Sequence, residues 1–156
     1  MTKIWQQHPI LFLGISFIYD KRSMSSTSDF DKLCHSILDI NRNIQSVAVI
    51  NKFGRPVEKI NRAGNVTEIS EEKKQMLFMQ CILEISMGKD FEEEYGPINY
   101  HLSGRENLTM LTFPVDDHVV LVTSEKNISP ISLARQITKA VSHCRKMMNV
   151  MVKQQG

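Results

Sequence analysis

Apolar side chains recur at helical spacing in three stretches of this chain and at strand spacing in five others. From Ser28-Asp29 onward, Phe30, Leu33, Cys34, Ile37 and Leu38 follow the i, i+3, i+4, i+7, i+8 template of one buried helix face, with Asp31, Lys32, His35 and Asp39 on the other side. Ser28 is a suitable N-cap, Asp29 places an acid at the positive end of the helix dipole, and Asn41-Arg42-Asn43 ends the pattern. Ile44–Ile50 is β-branched and almost continuously apolar at its end, the pattern of a central strand covered on both faces. The turn Asn51–Gly54 leads into a weaker segment, Pro56–Asn61, whose opening proline suits a sheet edge. Ala63-Gly64-Asn65 then breaks the chain.

A second helix is predicted from Ser70 as N-cap, with Glu71 and Glu72 in its first turn and Gly88 as the residue just past its end. Its apolar residues, among them Met76, Leu77, Met79, Ile82, Leu83 and Ile85, wrap much of the circumference, which implies burial on more than one side. After the charged stretch Lys89–Glu94, Ile98, Tyr100 and Leu102 alternate with Asn99, His101 and Ser103, the signature of a half-buried strand. Two more strands, Leu108–Phe113 and Val119–Thr123, flank an Asp116-Asp117-His118 turn. The final helix opens with Ser129 as N-cap and Pro130 at its first position, and its predicted buried face is Ile131, Ala134, Ile137, Val141, Cys144 and Met148. The elements run α-β-β-α-β-β-β-α, with no internal repeat: an α+β domain of antiparallel hairpins.

Composition narrows the class without naming an activity. The chain has 156 residues, is 42% apolar and contains 7 Gly, 5 Pro and 3 Cys, which fits one ordinary domain with a single continuous core and excludes collagenous and disordered readings. Three scattered cysteines do not make a disulfide framework. The formal charge of +2 lies entirely in residues 1–23, where Lys3, Lys21 and Arg22 face only Asp20. The remainder is neutral by cancellation, with a net −5 over residues 68–94 and five bases without an acid over residues 131–156. Such a bipolar domain suits docking to proteins more than binding nucleic acid, for which no module is present.

The candidate chemistry is sparse. Cys34, Cys81 and Cys144 fall one to each helix, with no closely spaced pair of the kind a metal site uses, and adjacent helix residues such as Cys34 and His35 point about 100° apart. They are expected to be core thiols. Asp116-Asp117-His118 is explained by the turn preference of Asp. No nucleophile elbow, Walker loop or dinucleotide fingerprint is present, so no catalytic, cofactor-binding or metal-binding residue is assigned.

The Ile44–Ile50 strand with its Asn51–Gly54 turn, Phe113-Pro114 before Asp116-Asp117, and the Val119–Thr123 strand leading to Ser129-Pro130 resemble the roadblock/dynein light chain (roadblock/LAMTOR-like) family, of the profilin-like fold class. The stretch before Met24 and the charged Asp90–Glu94 segment depart from a minimal member. The resemblance implies a five-stranded antiparallel sheet with helices on both faces. It also implies a homodimer that pairs the third strand and packs the second helix, and a non-enzymatic scaffold or regulator of a small Ras-like GTPase, or an adaptor. On that reading Ile98, Tyr100 and Leu102 lie on an exposed edge strand with neither Lys nor internal Pro to blunt it, and Met76, Met79 and Leu83 supply the helical half of the interface. The alternative is a small-molecule sensing module of profilin-like fold, which needs an enclosed polar pocket. A cytoplasmic location is expected.

The domain is placed at residues 28–152, with residues 153–156 as a tail and 1–27 as an N-terminal extension and linker. Pro9–Tyr19 is the most hydrophobic stretch, but it is about half the ~20 residues of a spanning helix and lacks a small-x-small cleavage pattern. The polar run Ser23–Ser28 follows it. The preferred reading is an upstream extension, with the functional chain starting at Met24; the others are a segment that packs on the domain or a partner, and a membrane anchor or signal. Intact-mass analysis of the native protein is expected to show a chain beginning at Met24 or Ser25; a mass that includes Pro9–Tyr19 would reinstate the other two.

Overall fold

The computed structural model describes residues 28–64 and 69–154. The N-terminal stretch, the linker to Thr27 and Asn65 lie outside the described residues. The elements are α1 (28–38), β1 (Ile44–Asn51), β2 (Pro56–Asn61), α2 (Glu71–Gly88), a 3-10 turn (Lys89–Phe91), α3 (Glu92–Tyr95), β3 (His101–Gly104), β4 (Thr109–Val115), β5 (His118–Ser124) and α4 (Pro130–Gln154). The five strands form one antiparallel sheet in the order β2-β1-β5-β4-β3, so β2 and β3 are its edges. The predicted fold class, a five-stranded antiparallel sheet with helices on both faces, is the observed one.

Successive residues of a strand face opposite sides, and both sides of the central strands are covered. On one side Val47, Val49, Val120, Val122, Leu111 and Phe113 pack against Phe30, Leu33 and Ile37 of α1 and Leu133, Ala134 and Ile137 of α4. On the other, Ala48, Ile50, Met110, Val119 and Leu121 pack against only three buried side chains of α2, Phe78, Cys81 and Ile85. One face therefore carries two helices and a large core; the other carries one helix and a small core.

Local chemistry fixes the ends of these elements. Asn51 Oδ1 accepts from the backbone N–H groups of Phe53 and Arg55, and Gly54 takes φ of 75°, so the β1–β2 turn is an Asx-type turn closed by glycine. The β4–β5 hairpin turns on two residues, Asp116 and Asp117, with Asp116 at φ 51°, a left-handed conformation that Asp tolerates better than most side chains. Ser70 Oγ accepts from the N–H of Lys73 and caps α2 as predicted. The partly buried Arg62, just past β2, donates to three carbonyls, Leu38 O at 2.7 Å, Ile44 O at 2.8 Å and Asn41 O at 3.3 Å. Of these, Leu38 O is one that the end of α1 leaves without a helical partner, and Asn41 O accepts from the N–H of Ile44 as well, so Arg62 ties the end of α1 to the start of β1.

Three expectations need correction. Gly88 does not terminate α2 in a left-handed conformation: it is helical at φ −66°, the chain continues through the 3-10 turn into α3, and the positive φ falls at Gly96. Glycine at position 88 answers to packing instead, since a Cβ there would lie 2.0 Å from Ile98 Cδ1. The third strand is shorter than the alternation suggested and starts at His101, so Ile98 and Tyr100 precede it. On α4 the buried face contains Leu133 rather than Ile131, which is 53% exposed, because Leu133 lies directly over the sheet while Ile131 sits on the outer side of the first turn. Met148 lies outside the described side chains.

Arg62→Ala is expected to destabilise the fold by about 2–3 kcal/mol, because hydrogen bonds from a charged donor exceed the value of neutral ones. Arg62→Lys should recover only part of this, since an ammonium cannot span three carbonyls as the planar fork does. Urea denaturation midpoints of the two variants check both statements.

Candidate functional site

The apolar surplus on α2 resolves into two stripes. At about 100° per residue, Phe78, Cys81 and Ile85 fall together on the sheet side, and Met76, Met79, Leu83 and Met87 fall together on the opposite side. The outer four are exposed by 72%, 41%, 51% and 67%. A helix that is apolar on two opposite faces has almost no net amphipathicity, which is why its sequence pattern showed no single stripe.

Beside this outer stripe the sheet is left partly open. A groove of about 980 Å³ runs along α2 and is walled by Met76, Met79, Leu83, Met87 and Leu108, with Lys59, Lys73, Lys74 and Arg105 around it. Its floor includes Ser46 and Thr123, whose hydroxyls are 2.6 Å apart across the β1–β5 ladder. Lys74 Nζ lies 2.6 Å from Glu71, and this hydrogen-bonded ammonium holds the Glu71 carboxyl below its ordinary value. A smaller pocket of about 240 Å³ lies between α2 and the β3–β4 edge, lined by Glu84, Gln80, His101, Arg105 and Thr112. His101 Nε2 and Thr112 Oγ1 are buried there without a hydrogen-bond partner.

The six interaction residues read from the sequence divide into two groups. Met76, Met79 and Leu83 stand on the outer stripe of α2, and Leu102, 42% exposed, stands on the edge strand β3. Ile98 and Tyr100 are half-buried instead and face opposite sides of the sheet: Ile98 packs against the α2 core, and Tyr100 against the α1/α4 core with its ring 6.1 Å from Phe113. The basic rim of the groove had no sequence signal, because Lys59 of β2, Lys73 and Lys74 of α2 and Arg105 after β3 are brought together only by the tertiary fold.

The residues singled out for chemistry stay apart. Cys34 lies in the α1/α4 core, Cys144 packs against it, and Cys81 lies in the α2 core across the sheet. Burial pushes the Cys34 thiol up to about 12, with further upward contributions from Glu58 and Asp31, and the Cys81 thiol up to about 11. Burial also raises the Cys144 thiol. His118 stacks on Phe30 at 4.7 Å, and burial lowers its pKa against the opposing pull of Asp117 and Asp116. Among the described residues no group of three His, Cys, Asp or Glu side chains is placed to hold a metal ion.

No protein-family model and no curated protein matches the chain. Solved structures do. A Roadblock/LC7 domain from Streptomyces avermitilis superimposes with a TM-score of 0.57 at 9% identity, over 76% of this chain and 96% of that one. MglB from Myxococcus xanthus superimposes with a TM-score of 0.60 at 12% identity, over 80% and 90%. A further MglB structure, described as a tetrameric arrangement, gives 0.55 at 11% identity, over 81% and 87%. The chain has a roadblock-like fold. In this roadblock-like domain the outer stripe of α2, the groove beside it and the β3 edge form one continuous candidate site for association.

Native protein at pH 8 is expected to label slowly with iodoacetamide at Cys34 and Cys81, and at all three thiols once denatured. The same shifts give a pH dependence with a definite sign. The folded thiols titrate above the ordinary value of 9.0, so their contribution is fully present below pH 9 and is lost as pH rises toward 11–12. Denaturation midpoints measured from pH 8 to 11 should fall accordingly, and Cys34→Ala with Cys81→Ala should flatten the decline.

Proposed function

We propose that this chain is a non-catalytic, dimeric scaffold or regulator in the cytosol that associates through α2 and β3 and acts on a small Ras-like GTPase. The observation that carries the reading is the second apolar stripe on α2 in a domain of roadblock-like fold. Four large apolar side chains in one line, three of them methionines, are costly to leave in water and adaptable against a partner. The β3 edge, with Leu102 exposed and unpaired backbone on its outer side, extends the same surface.

Charge favours an antiparallel arrangement of two copies. The start of α2 is balanced, with Glu71 and Glu72 against Lys73 and Lys74 and with Lys59 on the groove beside it, whereas the end of α2 leads into the acidic run Asp90, Glu92, Glu93 and Glu94. Antiparallel α2 helices keep the two acidic runs apart and set each against the balanced start of the other copy, and parallel ones set acid against acid. The GTPase assignment is the finer part and rests on the resemblance of the sequence and fold. The sensing alternative draws its support from the smaller pocket, where His101 and Thr112 carry unpaired polar atoms.

Sedimentation equilibrium at tens of micromolar is expected to give a dimer mass, and Leu83→Glu with Met79→Glu to give a folded monomer. A monomer mass for the unaltered chain at that concentration overturns the dimer. Affinity purification from the native organism is expected to recover a small GTPase with the unaltered protein; recovery of the chain alone overturns the regulatory part.

A further inference from the structure

The outer face of α4 is a second surface, distinct from α2 and on the opposite side of the sheet. Over its 25 residues α4 carries five bases and no acid. At about 100° per residue, Arg135, Lys139, Lys146 and Lys153 fall within about 40° of one another, diametrically opposite the buried Leu133, Ala134, Ile137 and Val141. The four form a straight line about 27 Å long at 1.5 Å per residue. All four are exposed, and none takes part in an ion pair among the described residues. Arg145, the fifth base, is turned inward and donates to the carbonyl of Pro114. It locks the middle of the helix to the β4–β5 hairpin and leaves the other four facing outward.

Two exposed apolar side chains border the line, Ile131 at 53% and Val150 at 54%, each within about 60° of it around the helix axis. Bases interleaved with apolar residues on the solvent face of a long helix match an interfacial layer, where ammonium and guanidinium groups meet lipid phosphates and the apolar chains enter the acyl boundary. A nucleic-acid backbone would use the bases and leave Ile131 and Val150 in water. α1 bears Asp29 and Asp31, and Asp29, with Asp116 of the β4–β5 turn, acts on Cys144, which lies on the side of α4 away from the line.

We infer that the outer face of α4 docks this domain on an anionic lipid surface, with Arg135, Lys139, Lys146 and Lys153 as the contacting charges. No helix among the described residues is long and apolar enough to cross a membrane, so the contact is peripheral. The inference is independent of the α2 association, because the two surfaces lie on opposite sides of the sheet.

The test is co-sedimentation of the full chain with vesicles of phosphatidylcholine alone and of phosphatidylcholine with phosphatidylserine, at low salt. Binding is expected to depend on phosphatidylserine and to fall with added salt. Each basic residue near an anionic surface contributes about fivefold, so Arg135→Gln, Lys139→Gln, Lys146→Gln and Lys153→Gln together should lower the partition coefficient by at least about a hundredfold. Removing the same charge elsewhere, with Lys52→Gln, Arg55→Gln, Lys89→Gln and Lys126→Gln, should leave at least most of it. The quadruple α4 variant should melt as the unaltered protein does, since all four side chains lie in water. Equal binding to both vesicle types, retention of the phosphatidylserine preference by the α4 variant, an equal loss in the control variant, or tighter retention on a DNA or RNA duplex at the same salt would each overturn the inference. None of these results bears on the dimer mass.

Discussion

The pairing of β1 with β5 is the interaction on which the rest of the molecule depends. Ser46 and Thr123 touch across it although they are 77 positions apart. Before it forms, the chain has only local pieces: a helix and hairpin at one end, a meander and helix at the other. The same rungs supply both cores, because alternate residues of an antiparallel ladder face opposite sides. Val47↔Val122 and Val49↔Val120 point to α1 and α4, and Ala48↔Leu121 and Ile50↔Val119 point to α2. A slip of one residue would exchange the two sets and set Ala48 where valines now fill the large core. Register therefore decides at once how much volume each helix layer finds beneath it.

That unequal division explains why the two sides of the sheet differ. The valine-rich side holds two helices that contact the sheet and each other, leaving nothing apolar on α1 in need of cover. The other side, with Ala48 at its centre, gives α2 a small core and leaves a groove at its flank. Gly88 lets Ile98 lie against the end of α2: a Cβ there would stand 2.0 Å from Ile98 Cδ1, and that side chain would have to turn aside. The outcome is a helix held firmly by one stripe with a second stripe of equal quality facing outward. Burying the outer stripe against another chain costs little reorganisation, because the inner stripe already fixes where it stands.

The strongly local features were readable from the sequence alone. The N-cap at Ser70, Pro130 at the start of α4, the Asp116-Asp117 turn and the valine-rich central strands depend on residues a few positions apart, and neighbour chemistry dictates them. What was not readable depends on contacts across the fold. Gly88 followed by charged residues has the pattern of a helix end, yet its constraint comes from Ile98. The alternation Ile98, Tyr100, Leu102 has the period of a strand, yet the first two residues approach the sheet before it pairs and pack on opposite faces. Arg62 carries no local signal, because its three acceptors lie between Leu38 and Ile44 on the neighbouring turn. The candidate site was half legible for the same reason: its apolar stripe is written in one helix, and its basic rim is assembled from β2, α2 and the turn after β3.

The charge distribution takes on meaning once it is placed on this frame. The acidic run follows α2, which packs on one side of the sheet, and the base-only α4 packs on the other. Had the two met, the chain would carry a neutral, self-satisfied surface and a net charge that says all there is to say. Held apart by the sheet, each keeps its field: the acidic run bears on the direction in which a second α2 would lie in the proposed dimer, and the line on α4 on the proposed contact with lipid. A near-neutral domain of this shape can hold two unlike contacts at once without either competing for the other's surface.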